Sequence, residues 1–161
     1  MSAARAKFGS LEKKLFLGSL AGLFFVIQLL PVGAPRSNPP VVAEPEWDSP
    51  RTRELFFRTC ADCHSNRTDW PWYSRVAPVS WLVAHDVAEA REHLNVSEWN
   101  RPQRDADEAA GQLREGKMPL KTYLAVHSEA RLSAAEKGEL VAGLVATFGE
   151  EKPRARRGGD R

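Results

Sequence analysis

The sequence predicts a mainly α protein in which one N-terminal transmembrane helix precedes a small helical domain with long ordered loops. Three observations predict it. Residues 15–34, LFLGSLAGLFFVIQLLPVGA, carry no charge. Helix start and stop signals recur between residues 49 and 149. No segment alternates apolar and polar residues over the length of a strand. The 161 residues leave room for one ordinary domain. Charged residues at 27% and hydrophobic ones at 42% exclude both a disordered chain and a multispanning membrane protein.

The uncharged run of residues 15–34 comes first. At about 1.5 Å rise per residue it is long enough for a hydrocarbon core of roughly 30 Å. Arg5, Lys7, Lys13 and Lys14 give residues 1–14 a net charge of +3. By the positive-inside rule residues 1–14 stay cytoplasmic, residues 15–34 form a transmembrane signal anchor, and the rest faces the periplasm or the cell exterior. Val32-Gly33-Ala34 offers small residues for signal cleavage, but Pro35 follows at once, so the anchor is expected to stay uncleaved. Residues 35–48 read as a Pro-rich extended linker. Residues 150–161 read as a basic disordered tail, with +4 over residues 152–161. The body between the two basic ends sums to −5, which argues against nucleic acid as a partner.

Within residues 49–149, Ser49 as N-cap and Pro50 at the first helical position open a helix that is expected to run through His64, with Leu55 and Phe56 inward. The loop SNRTDWPWYSRVAP follows. Residues 79–94 form a second helix, with Trp81, Leu82, His85 and Val87 as its apolar stripe and Glu89, Arg91 and Glu92 towards solvent. Asn95-Val96-Ser97 breaks it. Residues 105–115 form a weaker helix that Gly116 ends. Lys117-Met118-Pro119 leaves it extended, and residues 123–130 form a short helix. The last helix starts from a capping box, Ser133 with Glu136, and carries Leu140, Leu144, Val145 and Phe148 on one stripe. All five tryptophans, Trp47, Trp70, Trp72, Trp81 and Trp99, fall within 53 residues. That is much aromatic surface for little regular structure, and it suggests a non-protein group in the core.

The only cysteines are Cys60 and Cys63, with His64 directly after. Cys-x-x-Cys-His is the attachment motif of c-type haem. Residues at i and i+3 share a helix face, so both thiols can meet the vinyl groups on one side of a porphyrin, and His64 can ligate iron. The domain is therefore expected to be cytochrome-c-like, with one covalent haem c. A thioredoxin-like dithiol lacks its βαβ context, and a zinc site lacks a second ligand pair. For the sixth iron ligand Met118 leads, 54 residues after His64 and on a loop beside Pro119. His127 is the alternative ligand. His85 reads as a core histidine, and His93, near a helix C-terminus, reads as a favourable partial charge.

Cys60-Ala-Asp-Cys63-His64-Ser-Asn66, Trp70-Pro71-Trp72-Tyr73-Ser74 and Ala77-Pro78-Val79-Ser80-Trp81 occur in that order. Asn95-Val-Ser97-Glu-Trp99, Gly116-Lys-Met118-Pro119, Tyr123, His127 and Leu132-Ser133 follow. This pattern, over residues 47–148, resembles a small haem-binding domain family of predicted exported c-type cytochromes. The resemblance implies a haem and an N-terminal hydrophobic anchor. It brings no defined pathway and no sixth ligand. Trp70, Trp72, Tyr73 and Trp81 are then expected to wall the haem and exclude water, with Asn66, Ser74 or Arg75 near a propionate.

The leading functional expectation is a membrane-anchored monohaem cytochrome that carries electrons and is not itself an enzyme. The acidic body points to a redox partner protein with a positive patch. Two other classes stand beside it. A peroxidase-like enzyme needs an open sixth position and a distal base such as His85 or His127. A gas or redox sensor needs an exchangeable face and an output domain.

Overall fold

A computed structural model describes residues 2–150. Seven α-helices and no strand occur among the described residues, so the chain is mainly helical. The β-type pairing that the structure contains is an isolated parallel bridge between Ala43 and Glu98. The chain divides into two compact units: residues up to Arg36 with Trp70–His85, and Ser37–Asp69 with the residues from Asp86 onward.

In the first unit, α1 spans Ser2–Gln28. The expectation of one helix over residues 15–34 is corrected here. The helix closes at Gln28, so its uncharged part covers only residues 15–28, about 21 Å at 1.5 Å per residue. No helix among the described residues is long and apolar enough to cross a membrane. Pro31 has no N–H to continue the helix, and the chain before it tightens, with the Leu29 N–H on the Val26 carbonyl (3.1 Å) and the Leu30 N–H on the Ile27 carbonyl (3.3 Å), which closes α1 at Gln28. The Gln28 amide Nε2 donates to the Ala77 carbonyl at 3.1 Å, and its Oε1 accepts from the Ala77 N–H at 2.8 Å. Gly33 then turns at φ +100°, where a Cβ would sit 3.5 Å from the Ala84 Cβ and 3.7 Å from the Trp81 backbone. Apolar side chains on all sides of α1 are exposed, Leu15, Leu17, Leu23 and Phe25 among them. The 3₁₀ turn Trp72–Arg75 is closed by Ser74, whose buried hydroxyl donates to the Pro71 carbonyl at 2.7 Å.

In the second unit, α2 (Pro50–Thr59) starts as its sequence dictates: the Thr52 N–H donates to Ser49 Oγ at 3.1 Å, and Pro50 occupies the first turn. The helix expected to continue through His64 is jointed at Cys60, where φ is −122° and ψ is −26°, and resumes as α3 (Ala61–His64). The Cys60 carbonyl still accepts from the Cys63 and His64 amides, at 3.1 and 3.0 Å, so the helical i, i+3 spacing survives the joint. Residues 37–48, read as a linker, are extended and belong to this unit. Glu44 takes a two-point bond from Arg53 at 2.8 and 3.0 Å and an ion pair from Arg67 at 3.0 Å, while Trp47 packs on Phe56 and Phe148.

Helix α4 (Val79–His93) has a different buried stripe from the expected one. Ser80, Ala84 and Val87 are buried, Trp81 is half-buried, and Leu82 and His85 are exposed. Arg91, expected in solvent, is half-buried. It reaches the carbonyls of Ser65 and Ser37 at 2.9 and 3.0 Å, Asn38 Oδ1 at 3.1 Å and Thr68 Oγ1 at 2.9 Å. The periodicity counted apolar type, whereas the chain packing on this face offers carbonyls that only a multi-donor side chain can satisfy.

A 3₁₀ turn (Ala106–Glu108) leads into α5 (Ala109–Arg114). Gly116, at φ +70°, ends α5 with the Gly116 N–H on the Leu113 carbonyl (3.1 Å) and the Lys117 N–H on the Gln112 carbonyl (3.0 Å). Helix α6 (Lys121–Val126) begins two residues before its expected start, and a 3₁₀ turn (Ser128–Ala130) follows His127. Helix α7 (Ala134–Phe148) carries the expected capping box, with Ser133 N–H on Glu136 Oε2 at 2.9 Å and Glu136 N–H on Ser133 Oγ at 3.2 Å. Apart from Glu150, which pairs with Arg114 at 2.7 Å, the tail lies outside the described residues.

The core joins Leu55 and Phe56 of α2, Leu94 and Val96, Ala110 and Leu113 of α5, and Leu140 and Leu144 of α7. Each fully buried large side chain contributes about 1.5–3 kcal/mol. Trp99 stacks on Phe148 at 5.0 Å and closes one side. Helix α7 lies so close to α2 that a Cβ at Gly143 would stand 2.0 Å from Thr52 Oγ1 and 2.8 Å from its Cβ.

Gly143→Ala should destabilise the loaded chain by about 1–3 kcal/mol, seen as a lower Tm, and Thr52→Ala should recover part of the loss. An unchanged Tm would show that α2 and α7 do not meet here. Glu136 supplies a pH test. Its bond to the Ser133 N–H, then the Arg58 guanidinium at 2.6 Å, lower its pKa from 4.5 to about 2. A depressed carboxylate stabilises above its unfolded pKa and loses that contribution as pH falls through its folded one. Glu136→Gln should therefore lower Tm at pH 7, and the gap from wild type should close between pH 4.5 and 2.

Candidate functional site

Local sequence sets the first three groups. The Cys60 joint and α3 place both thiols and His64 on one wall of a cavity of about 530 Å³. Burial pushes the Cys60 thiol up to about 12, with Cys63 adding to it. Burial and the carboxylates of Asp62 and Asp86 push Cys63 up to about 11. Both are free and protonated at neutral pH. That does not suit a thiolate nucleophile, which needs the anion.

His64 is held twice by the chain that leaves α4. Its Nδ1 lies 3.0 Å from the Leu94 carbonyl, and its own carbonyl accepts from the Val96 N–H at 2.9 Å. A carbonyl oxygen only accepts, so Nδ1 carries the proton and Nε2 keeps its lone pair. Burial lowers the imidazole's pKa, which favours that neutral form. The clamp is in turn fixed by Asn95 and Ser97, both buried. Asn95 Nδ2 donates to Asn66 Oδ1 at 2.8 Å, and the Asn66 N–H donates to Ser97 Oγ at 2.9 Å. The Asn66 amide nitrogen also reaches the Pro40 carbonyl and Glu98, so Asn66 serves the backbone rather than a ligand.

Met118 lines the same cavity, 38% exposed, followed by Pro119 through a cis peptide bond. Its N–H returns to the Gln112 carbonyl at 3.2 Å, so the glycine cap of α5 sets its position. His127 is not among the lining residues. Its ring stacks on Tyr123 at 4.0 Å, and its Nδ1 lies 3.1 Å from the Tyr123 carbonyl. Trp70, Trp72, Tyr73 and Trp81 belong to the first unit and are not among the lining residues either. Trp72 is 77% exposed, and Ser74 spends its hydroxyl on Pro71.

The cavity is also lined by groups that the sequence reading did not assign to the site. His93 bonds Asp105 through Nδ1, and the Asp105 N–H donates to the His93 carbonyl at 3.1 Å. Asp86, Glu89 and Glu108 line the cavity too, and no Lys or Arg among the described residues does. Tyr123 lines it with its hydroxyl donated to Asp62 at 2.7 Å, and burial raises its pKa well above the usual phenol range. The signal for His93 was its place at the last residue of α4, one before the carbonyl that holds His64.

The donor set fits a haem. Two protonated thiols, an imidazole whose Nε2 keeps its lone pair and a thioether line one cavity with Phe56, Leu94, Leu113, Leu120 and Leu144. Thr59 Oγ1 is buried there without a partner among the described residues. The volume lies in the range of cofactor sites, roughly 300–1,000 Å³.

A family model described as a haem-binding domain matches residues 22–146. No curated protein and no solved structure matches the chain. The family match spans the cavity residues and well over half of the sequence, and the chain belongs to the haem-binding domain family.

Proposed function

We propose that this protein is a membrane-anchored monohaem c-type cytochrome that transfers electrons on the exported side of the inner membrane. The observation that carries the reading is the single cavity lined by both thiols, the doubly held imidazole and Met118. Cys60 and Cys63 would hold the porphyrin through thioethers, and His64 Nε2 and Met118 would ligate its iron. Haem bound there supplies a one-electron iron couple.

The chain's own residues do the rest. The Leu94 carbonyl orients the His64 ring and raises its basicity as a ligand. The leucines and Phe56 exclude water, which disfavours the extra charge of the oxidised state. Asp86, Glu89, Asp105 and Glu108 make the wall acidic, which supports a redox partner with a positive patch. Membrane attachment rests on the uncharged run of residues 15–34 and on the exposed apolar side chains of α1. The basic residues 1–14 support a cytoplasmic N-terminus.

One observation favours a second reading. The His93–Asp105 pair stands on the cavity wall, where a haem enzyme or sensor with an open sixth position would use a proton acceptor.

Cys60→Ala with Cys63→Ala should leave a chain from which acid–organic extraction removes all haem, whereas wild type should retain it. Extraction of haem from intact wild type would overturn covalent attachment. The ferric spectrum of wild type should carry the long-wavelength band of Met–iron ligation. Met118→Ala should abolish that band and admit imidazole or carbon monoxide more readily, and His127→Ala should leave it unchanged. The reverse result assigns the ligand to His127, and a high-spin wild type supports the second reading.

A further inference from the structure

We propose that the first unit carries a binding site for the phosphate headgroup of an anionic phospholipid, formed by Arg36, Arg75, Trp70 and Ser74. The proposal rests on the membrane attachment proposed above. These four residues line a pocket of about 310 Å³, and no carboxylate among the described residues lines it. Arg36 is the first charged residue after the uncharged run that begins at Leu15, so it stands where the chain leaves apolar surroundings. Arg75 reaches the same pocket because the segment that carries it is tied to α1. The two-point bond between Gln28 and the Ala77 backbone makes that tie, two residues away.

The chemistry suits a phosphate at a bilayer surface. Two guanidiniums present planar forks that match phosphate oxygens. Trp70 brings an indole to the same pocket, and indoles concentrate at the headgroup level of membranes. Ser74, buried and bonded to Pro71, forms a rigid floor rather than a competing donor. Three apolar side chains of the segment are exposed: Trp72 by 77%, Leu82 by 57% and Val79 by 45%. A water-facing segment has no use for that surface, whereas acyl chains and the headgroup boundary accept it. Arginine on a long apolar stem reaches the headgroup layer from below it.

The test uses the haem-loaded full chain in detergent. Native mass spectrometry would follow binding of phosphatidylglycerol, phosphatidylcholine and inorganic phosphate alone. Wild type should prefer phosphatidylglycerol. Arg36→Gln with Arg75→Gln should weaken it about 25-fold, at about fivefold per arginine. The charge-keeping pair Arg36→Lys with Arg75→Lys should restore most of the loss, which a misfolded variant would not. Equal phosphatidylglycerol affinity in wild type and the glutamine pair overturns the site. Inorganic phosphate binding as tightly as the lipid overturns the lipid as its source. Flotation on phosphatidylcholine vesicles reads the anchor separately. All three proteins should float alike, and failure of all three overturns the anchoring whatever the lipid affinities.

Discussion

The structure of the second unit hangs on the way one stretch of chain grips His64. Leu94 holds the imidazole by Nδ1, and Val96, two residues on, holds the carbonyl of the same histidine. Ring and backbone are thus fixed by one short, buried segment, and neither can move without the other. Asn95 and Ser97 flank Val96 and bond to Asn66, so the chain after the histidine is held as firmly as the histidine. The Ser97 carbonyl also accepts from the Val42 and Ala43 amides, which brings in residues 37–48. A loop of polar residues this deeply buried is stable only because its donors and acceptors are matched within it.

The far side of the core is built by a different economy of groups. Glu136 caps α7 and at the same time receives Arg58 from α2, so a helix-start signal becomes a tie between helices. Gly143 and Thr52 let the same two helices approach closely. Arg91 works in the same manner, since one side chain closes carbonyls and a hydroxyl from two stretches of chain, residues 37–38 and 65–68. The cavity remains where these ties leave off, and its thiols stay protonated because burial penalises their anions.

The two ends of the family match carry different physics. The second unit is an apolar cavity with a carboxylate-bearing wall. The first unit is an apolar helix whose end is stitched to a segment that carries the exposed Trp72 and Arg75.

Short-range chemistry was legible in the residues themselves. The Ser49 and Ser133 caps, the Gly116 stop, the inward faces of Leu55, Phe56, Leu140 and Leu144, and the Cys60-x-x-Cys63-His64 spacing follow from rules that act within four residues. The apolar run of residues 15–34 was legible as composition, and its shorter length as a helix follows from Pro31, a local stop signal within the run. The stripe on α4 escaped the periodicity, since Arg91 is drawn in by carbonyls that fold against it and Leu82 is left outside. The same holds for His93 and Asp105, whose meeting needs α4 to end beside the turn before α5. Local sequence therefore determined the capped helices and the haem motif, because backbone hydrogen bonds and caps are near-neighbour interactions. Which polar groups are buried and which side chains share the cavity with His64 were decided only by tertiary structure, because each depends on partners that lie distant in the chain and are adjacent only once it has folded.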